Sequence, residues 1–298
     1  MLGVGLIGGS IGLAARHRLG AQVVGYDPDA SGLSRAVELG AIDEPAVEIA
    51  AAVGDADVVF VATPVGAATD TARLALESSG AECVVSDVGS TKREIARAIC
   101  DPRFLGGHPL AGAETAGVEN AREDLFDGAT WYLTPAAGFA APDEGAAVFV
   151  ADAPQRAIER LRGVIEGLGA RPVTIDAEAH DRLMANVSHL PHVLANVLVA
   201  RALEVVESDG GTVEHGALEA GPSFRDATRV AGANTAIWTD IYMSNGDLLA
   251  AALDRTIEEL STVRDALGAG DAHTLAAWNE RARAERELLK RAGLAPDS

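Results

Sequence analysis

Two sets of residues in this chain have types and spacings suited to chemistry. The first is Gly3-Val4-Gly5-Leu6-Ile7-Gly8, a G-x-G-x-x-G pattern ahead of a helix-like segment. In such a loop the first glycine permits a tight turn and the second lets a pyrophosphate approach the backbone. The third lets helix and strand pack closely, with the helix N-terminus facing the phosphates. Asp27 ends the next strand-like run, at the offset expected of a carboxylate that holds adenosine ribose hydroxyls. A carboxylate there repels a 2′-phosphate, so NAD is the expected cofactor. Arg35, the one alternative for a 2′-phosphate, reads as part of a solvated helix face. Thr63-Pro64 follows another strand-like run and is expected to line the same cofactor crevice.

The second set is Ser90, in Asp87-Val88-Gly89-Ser90-Thr91-Lys92, and His108, in Gly106-Gly107-His108-Pro109. Each follows a strand-like or short helical segment, so each is expected outside the carboxyl ends of a parallel sheet, where open α/β folds bind ligands. A neutral imidazole held by a hydroxyl is suited to take a proton from an alcohol while hydride leaves the same carbon. The other reading of His108 is a structural loop histidine. Farther on, Ser188-His189-Leu190-Pro191-His192 puts a helix-interrupting proline beside two histidines on one helix face. That spacing alone completes no metal site, and no metal is expected. His189 reads as a core residue hydrogen-bonded within the interior. Arg229 suits an anion, or an ion pair with Asp226 three residues earlier; Trp238 suits packing as well as ligand contact. His17, His180, His215 and His273 stand outside any motif and read as surface or packing residues.

The elements that must position these groups are legible from periodicity. Strand-like runs occur at 22–26, 57–62, 82–86, 130–133 and 172–175, with helical spacing at 11–19, 33–39 and 153–168. Such alternation predicts a doubly wound parallel sheet of the Rossmann type. Beyond Asp176 the pattern is helical over 177–208, 223–244, 246–267 and 271–291. The expected α/β architecture is therefore a dinucleotide-binding domain over 1–176 and an all-helical domain over 177–298. Only Met1 and Leu2 precede Gly3, so the first strand is expected to be truncated. Residues 136–151 carry no clear period and read as a surface excursion.

The 298 residues, 48% hydrophobic and with a net charge of −20, suit two domains with a sizeable core. The charge argues against nucleic acid and anionic membranes as partners. It does not exclude a small anionic substrate held by one local arginine. No run of 18 apolar residues is present, so no membrane span is expected. Two cysteines without metal spacing suggest reduced thiols and a cytoplasmic location.

Taken in order, Gly-Leu-Ile-Gly-Gly-Ser at 5–10, Asp-Val-Gly-Ser-Thr-Lys at 87–92 and His-Pro-Leu-Ala-Gly-Ala-Glu at 108–114 resemble the prephenate dehydrogenase family and its arogenate-using relatives. The resemblance continues through Ser-His-Leu-Pro-His at 188–192, Phe-Arg-Asp-Ala-Thr-Arg at 224–229 and Ile-Trp-Thr-Asp-Ile at 237–241. It implies NAD-dependent oxidative decarboxylation of prephenate to 4-hydroxyphenylpyruvate, within tyrosine biosynthesis. It implies that His108 accepts a hydrogen bond from the substrate C4 hydroxyl and that Ser90 orients this histidine. Glu114 would shape the substrate pocket, His192 would contact the substrate side chain and Arg229 would bind a carboxylate. Asp226 and Trp238 would line the pocket, partly from a second subunit. The helical domains would form a homodimer, and activity would fall as His108 protonates in acid. Two alternatives stand beside this reading: arogenate as substrate, and an NAD-binding redox sensor without catalysis. Enzymes of similar layout that use a helical-domain lysine are a poor match, since only Lys290 is available.

Overall fold

The computed structural model describes residues 1–112, 115–135, 152–208 and 221–293. Glu114, His215, the 136–151 stretch and the Gly-rich break at 209–211 lie outside the described residues. By compactness the chain divides into Met1–Leu248 and Leu249–Ser298.

In the first unit the order begins α1 (Leu6–Leu19), β1 (Val24–Gly25), α2 (Ala30–Glu38), β2 (Glu44–Pro45) and α3 (Ile49–Val53). It continues with β3 (Val58–Val61), α4 (Val65–Ser78), β4 (Val84–Asp87), α5 (Arg93–Ala98), β5 (Phe104–Pro109) and β6 (Thr130–Pro135). α6 (Asp152–Gly167) and β7 (Arg171–Thr174) complete the α/β part. The strands pair as β1-β2 and as β3-β4-β5-β6-β7, and only β5 with β6 is antiparallel.

Leu2 joins the two groups. It bridges in parallel to Tyr26 and to Val61, and the amides of Leu2 and Ala62 close bonds to Phe60 and Leu2 carbonyls. Met1–Gly3 thus fill the position of a first strand between β1 and β3. The spatial order is β2, β1, Met1–Gly3, β3, β4, β5, which is the 3-2-1-4-5-6 order of a dinucleotide fold. The side-chain period of two divides each strand between two cores. Val59, Val61 and Val85 join Leu2, Ala72 and Phe104 on one face; Phe60, Val84 and Leu105 join Ile11, Trp131 and Leu161 on the other.

β5 is a strand that periodicity does not predict, because Gly106, Gly107 and Pro109 carry no strand propensity. Its glycines are required by crowding. A Cβ on Gly106 would lie 2.2 Å from Thr134 Oγ1, and one on Gly107 would lie 2.4 Å from the Asp87 carbonyl. His108 is therefore a strand residue in register with Tyr132, not a loop residue.

After β7 the described chain is helical. α7 (Ala177–Met184), a wide π turn (Ala185–His189) and α8 (Leu190–Ser208) run on continuously. The π turn precedes Pro191 and accommodates its missing amide without a break. By length and composition the run Ala177–Val205 could cross a bilayer, with mean hydropathy 1.3 in its best window. Its charged residues are confined to its ends, but polar side chains from Asn186 to Asn196 interrupt it, so it holds no run of 18 apolar residues. Its buried polar side chains, among them His180, Asp181, His189 and His192, belong to the site described below. The single helix expected over 223–244 is instead α9 (Pro222–Thr228), a 3-10 turn (Arg229–Gly232) and α10 (Thr235–Ser244), because Asn234 starts a new helix by accepting from Ala236 and Ile237 amides.

α11 (Gly246–Ala269) begins in the first unit and continues into the second. α12 (Ala272–Arg291) follows a turn at Gly270, whose φ is +67°. The ion pair between Arg281 and Glu259 lies equally far from the turn on both sides, so the two helices form an antiparallel hairpin. Ile257, Leu260, Leu267, Leu288 and Leu289 of this hairpin are exposed.

Candidate active site

The glycine loop meets the demands of a dinucleotide one glycine at a time. Gly3 has φ +91°, and a Cβ there would lie 2.5 Å from the Ala62 carbonyl. A Cβ on Gly8 would lie 2.0 Å from the Gly3 carbonyl, so this glycine sets how closely α1 approaches the sheet. Gly5 has open space within 4 Å, which leaves room for phosphate against the backbone. Leu6 and Ile7 begin α1, whose first turn holds no acidic residue and no side-chain cap. Its amides and dipole remain available to an anion. Asp27 accepts from the Val4 amide (2.9 Å) and the Asp29 amide (2.9 Å), which fixes its carboxylate beside the loop. Arg35 pairs with Glu38 on an exposed face, as its sequence context suggests. Thr63 Oγ1 is buried without a hydrogen-bond partner among the described residues, and Pro64 caps α4. These residues fit NAD.

At the neighbouring strand end lies a buried ionic layer. Asp87, at the end of β4, pairs with the Lys92 ammonium, and both side chains are fully buried. Asp87 also accepts from the Gly89 amide (2.8 Å) and the Gly107 amide (3.1 Å), tying the 87–92 loop to β5. Ser90 is half-buried in that loop. Among the described residues the ring bond of His108 is not to Ser90. It joins His108 Nδ1 to His180 Nε2 at 2.9 Å. His180, read from sequence as a surface or packing residue, is fully buried and lies 2.8 Å from Asp181 Oδ1 through its Nδ1. Nothing in the sequence marks this pair, because the contact spans 72 positions. The available signal is Asp176, whose side chain accepts from Glu178 and Ala179 amides and so starts α7 at the right place.

A third layer holds the helices to this loop. Arg93 donates to Asn245 Oδ1 (3.1 Å) and to both oxygens of Asp247, whose carboxyl it holds down at about 2. Arg93 can only donate, so the Asn245 oxygen faces it and the Asn245 Nδ2 must face the opposite way. That nitrogen donates to the Asp181 carbonyl (2.8 Å) and to His189 Nδ1 (3.2 Å). His189 Nε2 therefore carries its proton, and it has no hydrogen-bond partner among the described residues. His192 stacks on Trp238 with ring centroids 3.6 Å apart and planes 3° apart, and its Nδ1 meets the Tyr242 hydroxyl. Its buried Nε2 is likewise without a hydrogen-bond partner among the described residues. Asp226 on α9 and Arg229 in the 3-10 turn are exposed, and the Val230 backbone beside Arg229 approaches His192.

Four imidazoles are held neutral. Burial lowers His108 well below its ordinary value, and the neighbouring His180, Lys92 and His189 push the same way. Burial also lowers His180, against the pull of Asp181; it lowers His192, and it lowers His189 to about 4. If His108 carries the chemistry, the loss of activity expected in acid falls at lower pH than an ordinary imidazole would give. The same shifts act on stability. Between its folded value and about 6.5, each histidine is protonated in the unfolded chain but not in the folded one. Stability then falls as pH falls, by up to ~1.4 kcal/mol per pH unit for each group. We expect the midpoint of thermal unfolding to drop between pH 6.5 and 5, above the range where carboxylates titrate. A midpoint that is constant over that interval would show that these rings are not held neutral.

Comparison with known proteins agrees with this geometry. Residues 11–149 match the family model "Prephenate dehydrogenase, nucleotide-binding domain", and residues 176–280 match "Prephenate dehydrogenase, dimerization domain". The chain is 32% identical to the prephenate dehydrogenase of Bacillus subtilis over 296 residues, covering 97% of this chain and 75% of that protein. The crystal structure of prephenate dehydrogenase from Aquifex aeolicus, in complex with hydroxyphenyl propionate and NAD+, superposes with TM-score 0.81 at 27% identity, covering 97% of this chain and 96% of that one. Synechocystis arogenate dehydrogenase superposes with TM-score 0.72 at 26% identity, covering 96% and 97%. With a dinucleotide loop, a half-buried histidine at the adjacent strand end and both family models matched in order, the chain belongs to the prephenate dehydrogenase family.

Proposed function

We propose that this chain oxidises prephenate with NAD to 4-hydroxyphenylpyruvate, carbon dioxide and NADH. The observation that carries this reading is His108 near the end of β5, its ring bonded to His180, on the same carboxyl edge of the sheet as the glycine loop. NAD, when bound, supplies the hydride acceptor for C4. Gly3, Gly5, Leu6, Ile7 and Gly8 cradle the phosphates, Asp27 holds the ribose, and Thr63 and Pro64 line the crevice. His108 accepts the proton of the C4 hydroxyl as that carbon becomes a carbonyl, and Ser90 meets the same hydroxyl. Loss of the ring carboxylate aromatises the product, so little acid–base power is needed and positioning dominates. Glu114 shapes the pocket, and His192, Trp238 and Asp226 face the side chain. Arg229 binds a substrate carboxylate and concentrates positive potential in an otherwise acidic protein. Cofactor and catalytic histidine belong to residues 1–176 and the substrate arginine to 177–298.

The deciding experiment is NADH formation with prephenate and with arogenate. Formation with prephenate is expected. Turnover of arogenate alone would favour the second reading, to which the likeness to an arogenate dehydrogenase lends support. NAD binding without turnover of either would favour a redox sensor. Arg229→Gln is expected to weaken substrate binding by about 1.5–3 kcal/mol, the scale of a charge-assisted hydrogen bond. A Michaelis constant within twofold of the parent would give Arg229 a structural role.

The reading includes a homodimer through the helical region, supported by the dimerization-domain match and by exposed apolar side chains on α11 and α12. Its small-molecule substrate, not nucleic acid or membrane, is the other partner. A cytoplasmic location is in keeping with free Cys83 and Cys100.

A further inference from the structure

We infer that His180, anchored by Asp181, is a positioning residue that fixes His108 in the tautomer protonated at Nδ1, leaving the lone pair on Nε2. This rests on the reading of His108 as proton acceptor and adds what makes one particular ring nitrogen the acceptor.

A chain of hydrogen bonds runs from the loop amides through Asp181 and His180 to His108, with its first end fixed. Asp181 is fully buried and lies across the start of α5. Its Oδ1 accepts from the Lys92 amide (2.7 Å) and its Oδ2 from the Arg93 amide (2.9 Å). Burial alone would raise its carboxyl, but the His180 ring and these amides outweigh burial and hold it below its ordinary value. An ionised carboxylate accepts only. His180 Nδ1, 2.8 Å from Asp181 Oδ1, must therefore carry the proton. In a neutral imidazole the other nitrogen is then an acceptor, so His180 Nε2 offers a lone pair. His108 Nδ1, 2.9 Å from it, must be the donor. The one remaining nitrogen of the neutral His108 ring, Nε2, is left as the base.

The rings are also held mechanically. His180 makes an edge contact with His108 (centroids 5.1 Å) and another with Tyr132 from β6 (5.6 Å). A flip of either ring would bring a carbon to the place of a bonded nitrogen, breaking the His108–His180 hydrogen bond and leaving a polar group unsatisfied. The anchoring amides belong to Lys92 and Arg93, directly after Ser90 and Thr91. One short loop therefore carries Ser90 and, through Asp181, sets the polarity of the base.

The test begins with the parent chain, labelled with 15N at the histidine rings, near neutral pH. The His108 resonances should show a protonated Nδ1 and an unprotonated Nε2. A protonated Nε2 overturns the inference, even if His108→Asn is inactive. Conversely, turnover retained in His108→Asn removes the proton-acceptor reading whatever the tautomer. His180→Phe keeps a buried ring but offers no acceptor. It should release the His108 tautomer toward Nε2–H and lower kcat by ~10²-fold or more, with KM for prephenate within about threefold. His180→Gln keeps a carbonyl acceptor and an amide donor, and should recover at least tenfold of that loss. Parental kcat in a folded His180→Phe chain overturns the inference. If that variant fails to fold, the parent spectrum alone decides.

Discussion

Asparagine in place of His108 is expected to lower turnover of prephenate by ~10²–10⁴-fold, the range of a general acid–base group. The Michaelis constant should change far less. The asparagine amide reaches about as far as Nδ1, so it can still donate to His180 Nε2 and keep the buried layer satisfied. It has nothing at the position of Nε2, so it removes the acceptor and little else. The backbone around it is fixed independently, since His108 pairs in register with Tyr132 in the antiparallel β5–β6 pair. Steady-state kinetics with saturating NAD would read the effect. Turnover equal to the parent's would take His108 out of the chemistry.

The second large effect is on stability. Lys92→Met should destabilise the chain by ~3–5 kcal/mol, because it strands the Asp87 carboxylate in the interior. Two amides, from Gly89 and Gly107, would remain on Asp87 but neither carries a charge. The double variant Asp87→Asn with Lys92→Met should recover a large part of the loss, since no unpaired charge is then buried. Denaturant unfolding of the two variants and the parent measures both steps. A single-variant loss below about 1 kcal/mol would mean that water or a rearranged neighbour reaches Asp87.

Much of the architecture could be read from the residues because local pattern and global position agree. Val58–Val61 and Val84–Val85 are apolar runs whose residues alternate between the two cores. The glycine loop was legible for a related reason: Gly3 and Gly8 each answer a separate steric demand, and Gly5 leaves space open beside the backbone. β5 was not legible because its residues are chosen for what they lack. Gly106 and Gly107 yield space to Thr134 and Asp87, and such a demand leaves no periodic trace. His180, Asp181 and Asn245 escaped for a different reason. Their roles arise from partners 72, 89 and 64 positions away, so no local spacing could mark them. Ser90 was placed correctly in the loop after β4, but the expectation that it holds the His108 ring gave way to His180 as the ring's partner.

The π turn at Ala185–His189 has an angular consequence. In an unbroken α-helix, at 100° per residue, His180 and His192 would point about 120° apart around the axis. The wide turn winds by less per residue and absorbs roughly one surplus residue over its length. The two imidazoles then come within about 30° of one another, on one side of a single long rod. The extra residue works as a shim: it lets one helix present the partner of His108 and, three turns later, the ring stacked on Trp238 toward the same side.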